Sequence, residues 1–416
     1  MPSVDGLRFL ANRITERLWV RPLAVCLLSV GGVVLAKAAD ETSLGRLLPL
    51  VTGDSLESLL EIMAASMLVI ATFAVSSMVS AYASASNRAT PRAFTLIVRD
   101  DLSQNALSTF IGSFIFSIVA LTAVLNGAFE QAGRSVLFGL TILVFGVVIL
   151  MFVRWVDQIA RLGRITNSIE RVEAAAADAI RHRRHAPTLG GVPARRERSD
   201  GKAVVATTVG YVQRVDVAAL QACAEEAGGW VAVAALPGTF VTPTRPLAYV
   251  GHDPGATSEI DGERVARAFV IGRERLFDED PRFGLVALSE IADKALSPGI
   301  NDPGTAIAVL GSFTRLFALW AEPREIADAP PCSRVEVPEL SVRDMFDDAF
   351  TAIARDGAGA IEVVVRLQKT LASLASLGDS AMHAAALAHG RMALARAEKA
   401  LYLSEELALA REAAPK

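Results

Sequence analysis

Cysteine and histidine are scarce in this chain: three cysteines and five histidines in 416 residues. Cys26, Cys223 and Cys332 stand far apart, with neither the spacing of a metal knuckle nor a disulfide framework. Aromatic residues make up 6% and the net charge is −4, so no basic surface announces a nucleic-acid partner. Glycine-rich phosphate loops ending in lysine, Gly-x-Ser-x-Gly elbows and His-Glu-x-x-His helices are all missing. The adjacent pair His252-Asp253 lies in a Gly/Pro turn with no nucleophile near it. These absences exclude the common enzyme signatures and leave no cofactor to expect.

What the chain has in excess is apolar sequence. Mean hydropathy is +0.39 and charged residues are 21%, too apolar for a wholly water-exposed protein of this length. The excess sits in the first 155 residues, where four stretches have the length and charge depletion of membrane spans, at about 22–36, 59–82, 106–125 and 136–153. Arg8, Arg13, Arg17 and Arg21 precede the first. Arg88, Arg92 and Arg99 lie between the second and third, and Arg154, Arg161 and Arg164 follow the fourth. The other two loops carry only Lys37, Arg46 and Arg134, so the positive-inside rule predicts a multi-pass membrane protein with both termini cytoplasmic. Ala36-Lys37-Ala38 after an apolar run imitates a cleaved secretory signal, but three further spans follow directly.

The predicted fold is therefore an α-helical membrane domain of four transmembrane helices (1–158) with a cytoplasmic α+β region. Ile159, Leu162, Ile165, Ile169 and Val172 keep helical spacing, predicting a stalk over 159–184. Arginine, proline and glycine then predict a basic linker over 185–202, solvated or resting on anionic headgroups. Valine-rich segments alternating with glycine and proline predict a small β-barrel-like subdomain over 203–275. The remaining 276–416 reads as a helical subdomain, with 323–338 as a loop and His383 and His389 as surface or packing residues.

Candidate functional residues fall in three places. Ser76, Ser80 and Ser84, with Ser77 alongside, repeat at helical spacing on the second span. They fit close helix packing or a hydroxyl-lined pore. Arg99, Asp100 and Asp101 stand at the entrance of the third span as boundary charges. The densest run is Ala295-Leu-Ser-Pro-Gly-Ile-Asn-Asp-Pro-Gly-Thr-Ala306. Pro298 stops the incoming helix near Ser297, Gly299 supplies a turn, and Asp302 caps a new helix opened by Pro303 and helped by Thr305. The same Ser297, Gly299, Asn301, Asp302 and Thr305 can be read as a site for an anion at the helix start or for a cation on the Asn301 and Asp302 oxygens. The acidic residues Asp278, Glu279, Asp280, Glu290 and Asp293 are close in sequence, and no metal is specified by their spacing.

Several of these pieces together resemble the DUF2254 family of bacterial membrane proteins. They are Ser76-Ser-Met-Val-Ser80, Thr90-Pro-Arg92, Thr109-Phe-Ile-Gly-Ser-Phe114, Gly210-Tyr-Val-Gln213, Pro237-Gly-Thr-Phe-Val241 and Ile271-Gly-Arg273, with Asp280-Pro-Arg-Phe-Gly284 and Ala295–Pro303 the strongest. The family tends to Ser-Pro-Arg where this chain has Thr90-Pro-Arg92, and to a bulkier residue or Thr at Gly304. The resemblance implies four spans and a cytoplasmic domain and carries no chemistry. Two functions fit: an oligomeric ion channel or passive transporter gated by its cytoplasmic domain, or a membrane-anchored sensor or scaffold that binds a small ligand or ion there. Expected partners are the lipid bilayer, further copies of the chain as a homo-oligomer, and a small ion or anionic ligand.

Overall fold

The computed structural model describes residues 20–41, 51–88, 90–98, 101–162, 165–194, 201–253, 259–323 and 331–416. The chain divides into two compact units, Met1–Ser168 and Ile169–Lys416.

The first unit is helical: α1 (Val20–Ala38), α2 (Gly53–Arg88), α3 (Pro91–Val98), α4 (Asp101–Leu125) and α5 (Gln131–Leu162). α4 packs against α1, α2 and α5. Gly112 makes the α1 approach feasible, because a Cβ there would run into the Val25 side chain. The Asp40 carboxylate accepts from Glu130 N at 3.0 Å and from Gly133 N at 2.6 Å. It thereby satisfies amides at the start of α5, which have no partner within that helix. Gly127, at φ +66°, and the Ala128 N to Ala123 O bond turn the chain sharply between α4 and α5.

Side-chain distribution in this unit is the reverse of a water-exposed protein. Leu56, Leu60, Phe116 and Leu137 are buried, and so are Phe110 and Trp155. Yet Leu28, Leu35, Val69, Phe73, Leu143 and Leu150 stand 59–75% exposed. An apolar outer surface on that scale needs a bilayer around it. Among the described residues, the helices long and apolar enough to cross a membrane are Leu23–Glu41, Gly53–Ser84, Leu102–Leu125, Gln131–Ala160 and Pro303–Ala321. The first four overlap the stretches expected from sequence at 22–36, 59–82, 106–125 and 136–153. The fifth lies in the second unit.

The second unit opens with α6 (Ile165–His185), whose Ile169, Val172, Ala176, Ala179 and Ile180 are buried. The segment expected to be a basic linker is partly structured: after Leu189 (φ 54°) and Gly190 (φ 88°) the chain forms β1 (Gly191–Pro193). There follow β2 (Lys202–Val205), β3 (Gly210–Val215), α7 (Val217–Ala227), β4 (Gly229–Val233), β5 (Phe240–Val241), β6 (Pro246–His252), α8 (Gly262–Arg267) and β7 (Phe269–Gly272). Helices α9 (Pro281–Leu296) and α10 (Pro303–Ala321) come next, then β8 (Cys332–Val337), α11 (Val342–Asp356), α12 (Ile361–Leu377), α13 (Ser380–Ala400) and α14 (Ser404–Glu412).

The strands form two sheets in place of the single small barrel expected. One has the order β1-β8-β4-β6-β2, with β8 parallel to both β1 and β4; the other is β5-β3-β7. β2 and β3, separated only by residues 206–209, go to different sheets, β2 joining one and β3 the other. β8 was expected to be loop. It lies between prolines, and its partners β1 and β4 are remote in sequence, so local pattern gives no hint of the pairing. The helical core gathers Phe313, Phe317, Phe346 and Phe350, with ring centroids 4.5–5.7 Å apart.

Candidate functional site

The Ser297–Thr305 corner is built as its residues dictate. Ser297 is extended (φ −61°, ψ 146°), and its hydroxyl donates to Lys294 O at 2.6 Å. Ser297 O accepts from Ile300 N and Asn301 N, and Asp302 N donates back to Ala295 O at 2.8 Å. The Asp302 carboxylate accepts from Thr305 N at 3.1 Å and from the Thr305 hydroxyl at 2.6 Å. One detail differs from expectation. Asn301 takes the left-handed conformation (φ 49°), which asparagine tolerates better than most side chains, while a Cβ on Gly299 would meet nothing. The corner brings Ser297, Asp302 and Thr305 together through the chain's own hydrogen bonds and leaves Gly299, Ile300 and Asn301 on the surface.

The acidic residues near it separate, and Glu279, Asp280 and Asp293 each meet an arginine. Arg355 Nη2 lies 3.2 Å from Asp293 and 2.6 Å from Asp356. A hydrogen bond that the protonated Asp293 carboxyl donates to Asp356, partial burial and the Asp356 charge together push the Asp293 carboxyl up to about 6. Arg355 holds Asp356 below its ordinary value.

Asp280 belongs to a buried charge network that sequence reasoning missed. Its Oδ2 accepts from Arg275 Nε at 2.7 Å, and Arg275 also stacks 5.1 Å above the Phe283 ring. Arg183, near the end of α6 and 2% exposed, donates to Glu279 O at 3.1 Å, while Arg214 on β3 stands 3.8 Å from the Glu279 carboxylate. Arg282 bridges Asp344 at 2.8 Å and Asp348 at 2.6 Å on α11. Burial raises both Glu279 and Asp280 against the pull of these cations, and it lowers Arg183. Asp280 Oδ1 and Arg183 Nη1 are buried with no hydrogen-bond partner among the described residues. Gly238, at φ +90°, sits so near that a Cβ would lie 2.6 Å from the Asp280 Cγ. The only sequence signal for this network is the Asp280-Pro-Arg-Phe-Gly284 string itself.

A second feature lies in the β-rich region. β2 is one edge of the five-stranded sheet and β7 one edge of the three-stranded sheet, and both line the same cleft with α8 and β6. The cleft holds about 980 Å³ and reaches core side chains Leu247, Val250 and Ile260.

The serine row of the second span follows one side of α2 but differs in exposure along it. Ser76 and Ser80 are exposed beside Phe73 and Val79, whereas Ser77 and Ser84 are half-buried. The Ser76 hydroxyl donates to Thr72 O at 3.1 Å, inside its own helix. Arg99 and Asp100 lie outside the described residues, as does the side chain of Asp101, whose backbone starts α4. His389, expected at the surface or in packing, is buried against Phe346 and Phe350, with its Nε2 3.1 Å from Asp347. His383 is exposed, its Nδ1 2.9 Å from Ala375 O.

A family model described as a predicted membrane protein (DUF2254) matches residues 15–373. Curated relatives include uncharacterized proteins of Mycobacterium bovis and Mycobacterium tuberculosis, each 33% identical over 126 residues, which is 30% of this chain and 24% of theirs. The match thus spans about a quarter of the length of those relatives. No solved structure matches the chain.

Proposed function

The chain belongs to the DUF2254 family of predicted membrane proteins, and from that premise we propose a multi-pass sensor of the bacterial inner membrane whose second unit binds a small ligand in the cytoplasm. Four of the five apolar helices are assigned to the bilayer, with both termini cytoplasmic by the arginine bias of the loops. The fifth, α10, is assigned to the core of the second unit, because Phe313 and Phe317 pack against Phe350 and Phe346 of α11. The role is binding without catalysis, in a homo-oligomer, with no nucleic acid involved.

The observation that carries this reading is the 980 Å³ cleft between two sheet edges, a volume within the range of small-ligand sites. Its test is thermal unfolding of the full-length protein in lipid nanodiscs, with and without a cytosolic small-molecule extract. A ligand at about 100 times its Kd stabilises by about 2.7 kcal/mol, which for a unit of this size raises Tm by several degrees. Ala266→Trp, which fills the cleft, should abolish the shift.

A second reading is the oligomeric channel or passive transporter, and the exposure of Ser76 and Ser80 favours it, since these hydroxyls are available to an axis between copies. Unitary conductance in planar bilayers that Ser80→Leu abolishes, with no Tm shift from the extract, would replace the sensor with the channel.

A further inference from the structure

The cleft between β2 and β7 has an apolar floor and a polar rim, and the two differ sharply. Val204, Leu247, Val250, Ile260 and Phe269 form the floor, each at most 7% exposed, and belong to the core of the β-rich region. Thr207, Thr208, Lys202, Asp261, Glu263 and Arg267 form the rim. Most rim charges are already engaged. Lys202 Nζ lies 3.4 Å from Glu259, and the Asp261 carboxylate caps α8 by accepting from Glu263 N at 2.9 Å and Arg264 N at 3.4 Å. Arg267 forms no ion pair among the described residues, and the hydroxyls of Thr207 and Thr208 share its rim. Glu263, one helical turn before Arg267, is the rim anion that a bound acid must avoid.

Resting on the sensor reading, we propose that this cleft binds a single-tailed amphiphile with an anionic head. The tail lies along Val204, Leu247, Val250 and Phe269, and the carboxylate or phosphate head meets Arg267 and the two threonine hydroxyls. An apolar floor with one unpaired cation at its mouth is complementary to a fatty acid or a lysophospholipid, which share this chemistry. A chain with apolar membrane helices is made where such molecules are abundant. Each added methylene of the tail tightens binding about fourfold until the floor is covered.

Full-length protein in lipid nanodiscs, photolabelled with a diazirine-bearing hexadecanoic acid and mapped by mass spectrometry, tests this directly. Labelling of residues 202–208 and 266–271 is expected, competed by unlabelled hexadecanoic acid far better than by octanoic acid. Ala266→Trp should remove that label and Arg267→Glu weaken its competition curve at least fivefold, while label on α1, α2, α4 and α5 stays constant as an internal control. Should Ala266→Trp lower Tm, the milder Ala266→Leu supplies the filling test. Competition by lysophosphatidylglycerol at lower concentration than by hexadecanoic acid assigns the head to phospholipid; the opposite order assigns it to a free acid. Equal competition by uncharged hexadecanol overturns the anionic head, and cleft labelling that persists in Ala266→Trp overturns the site. If soluble anions such as citrate or AMP raise Tm in a manner Ala266→Trp abolishes, and the amphiphile leaves the cleft unlabelled, the lipid inference falls and the sensor stands. If neither probe reaches the cleft, both fall.

Discussion

Replacing Asp302 by alanine deletes two hydrogen bonds at once, from Thr305 N and the Thr305 hydroxyl. Loss of an N-cap costs about 1 kcal/mol, so Asp302→Ala should lower the unfolding free energy of the second unit, measured by urea titration, by that amount. Asp302→Asn should recover most of it, because an amide oxygen can still accept from Thr305 N. Gly238→Ala should cost more: φ is +90°, and the new methyl would press on the Asp280 carboxylate. A melt unchanged in Gly238→Ala would show that the turn relaxes freely. At this scale the sequence was highly legible, since Ser297-Pro298 and Asp302-Pro303 act through their own neighbours. The turn was expected at Gly299 because a Pro-Gly pair is a strong local signal; the return bond from Asp302 N to Ala295 O puts the left-handed conformation on Asn301.

Elements are held by pairings that local sequence cannot disclose. The ends of α9 and α11 meet through Asp293, Asp356 and Arg355. Because Asp293 titrates near 6 in the fold and an unfolded aspartate near about 3.9, the folded state holds the extra proton between those values. Stability from this group is therefore full at low pH and lost as pH rises to about 6. Asp293→Asn should remove that slope and make the second unit more stable than wild type at pH 7.5, with the advantage vanishing below pH 4, as urea titrations across this range will measure. An unchanged slope would place the proton elsewhere. The buried network makes a sharper demand. Arg183→Met strips Glu279 O of its donor and removes a compensating charge on α6 from Glu279 and Asp280. Removing one member of a buried charge set costs about 3–5 kcal/mol, so this single change should rival a large core deletion. From sequence, Arg183 stood at the end of the predicted stalk with no sign that it is buried. Its burial follows from the apolar stripe of α6, which was legible, and from the place where that stripe docks, which was not.

At the scale of the whole molecule, the boundary between units is the point where sequence and structure part most. A run of arginine, proline and glycine after residue 184 pointed to a stalk on one side and a separate cytoplasmic fold beginning at 203. In the fold, α6 belongs to the second unit from Ile169 onward, and β1 joins its larger sheet. Ala176 packs where a Cβ on Gly284 of α9 would collide with it, and Glu173 pairs with Arg315 of α10 at 2.6 Å. Two fragments separate these views. A chain starting at Ile165 keeps all these contacts and should unfold in one cooperative step. A chain starting at 203 loses the burial of Ile169, Val172 and Ile180, each worth about 1.5–3 kcal/mol. It also bares the β8 edge that β1 had covered. The summed loss is comparable with the whole stability of an ordinary domain, about 5–15 kcal/mol, and a free strand edge invites aggregation. The shorter fragment should therefore show no cooperative melt by circular dichroism. If instead it melts within a few degrees of the longer one, α6 is a detachable stalk after all, and the Arg183 network contributes nothing to the fold.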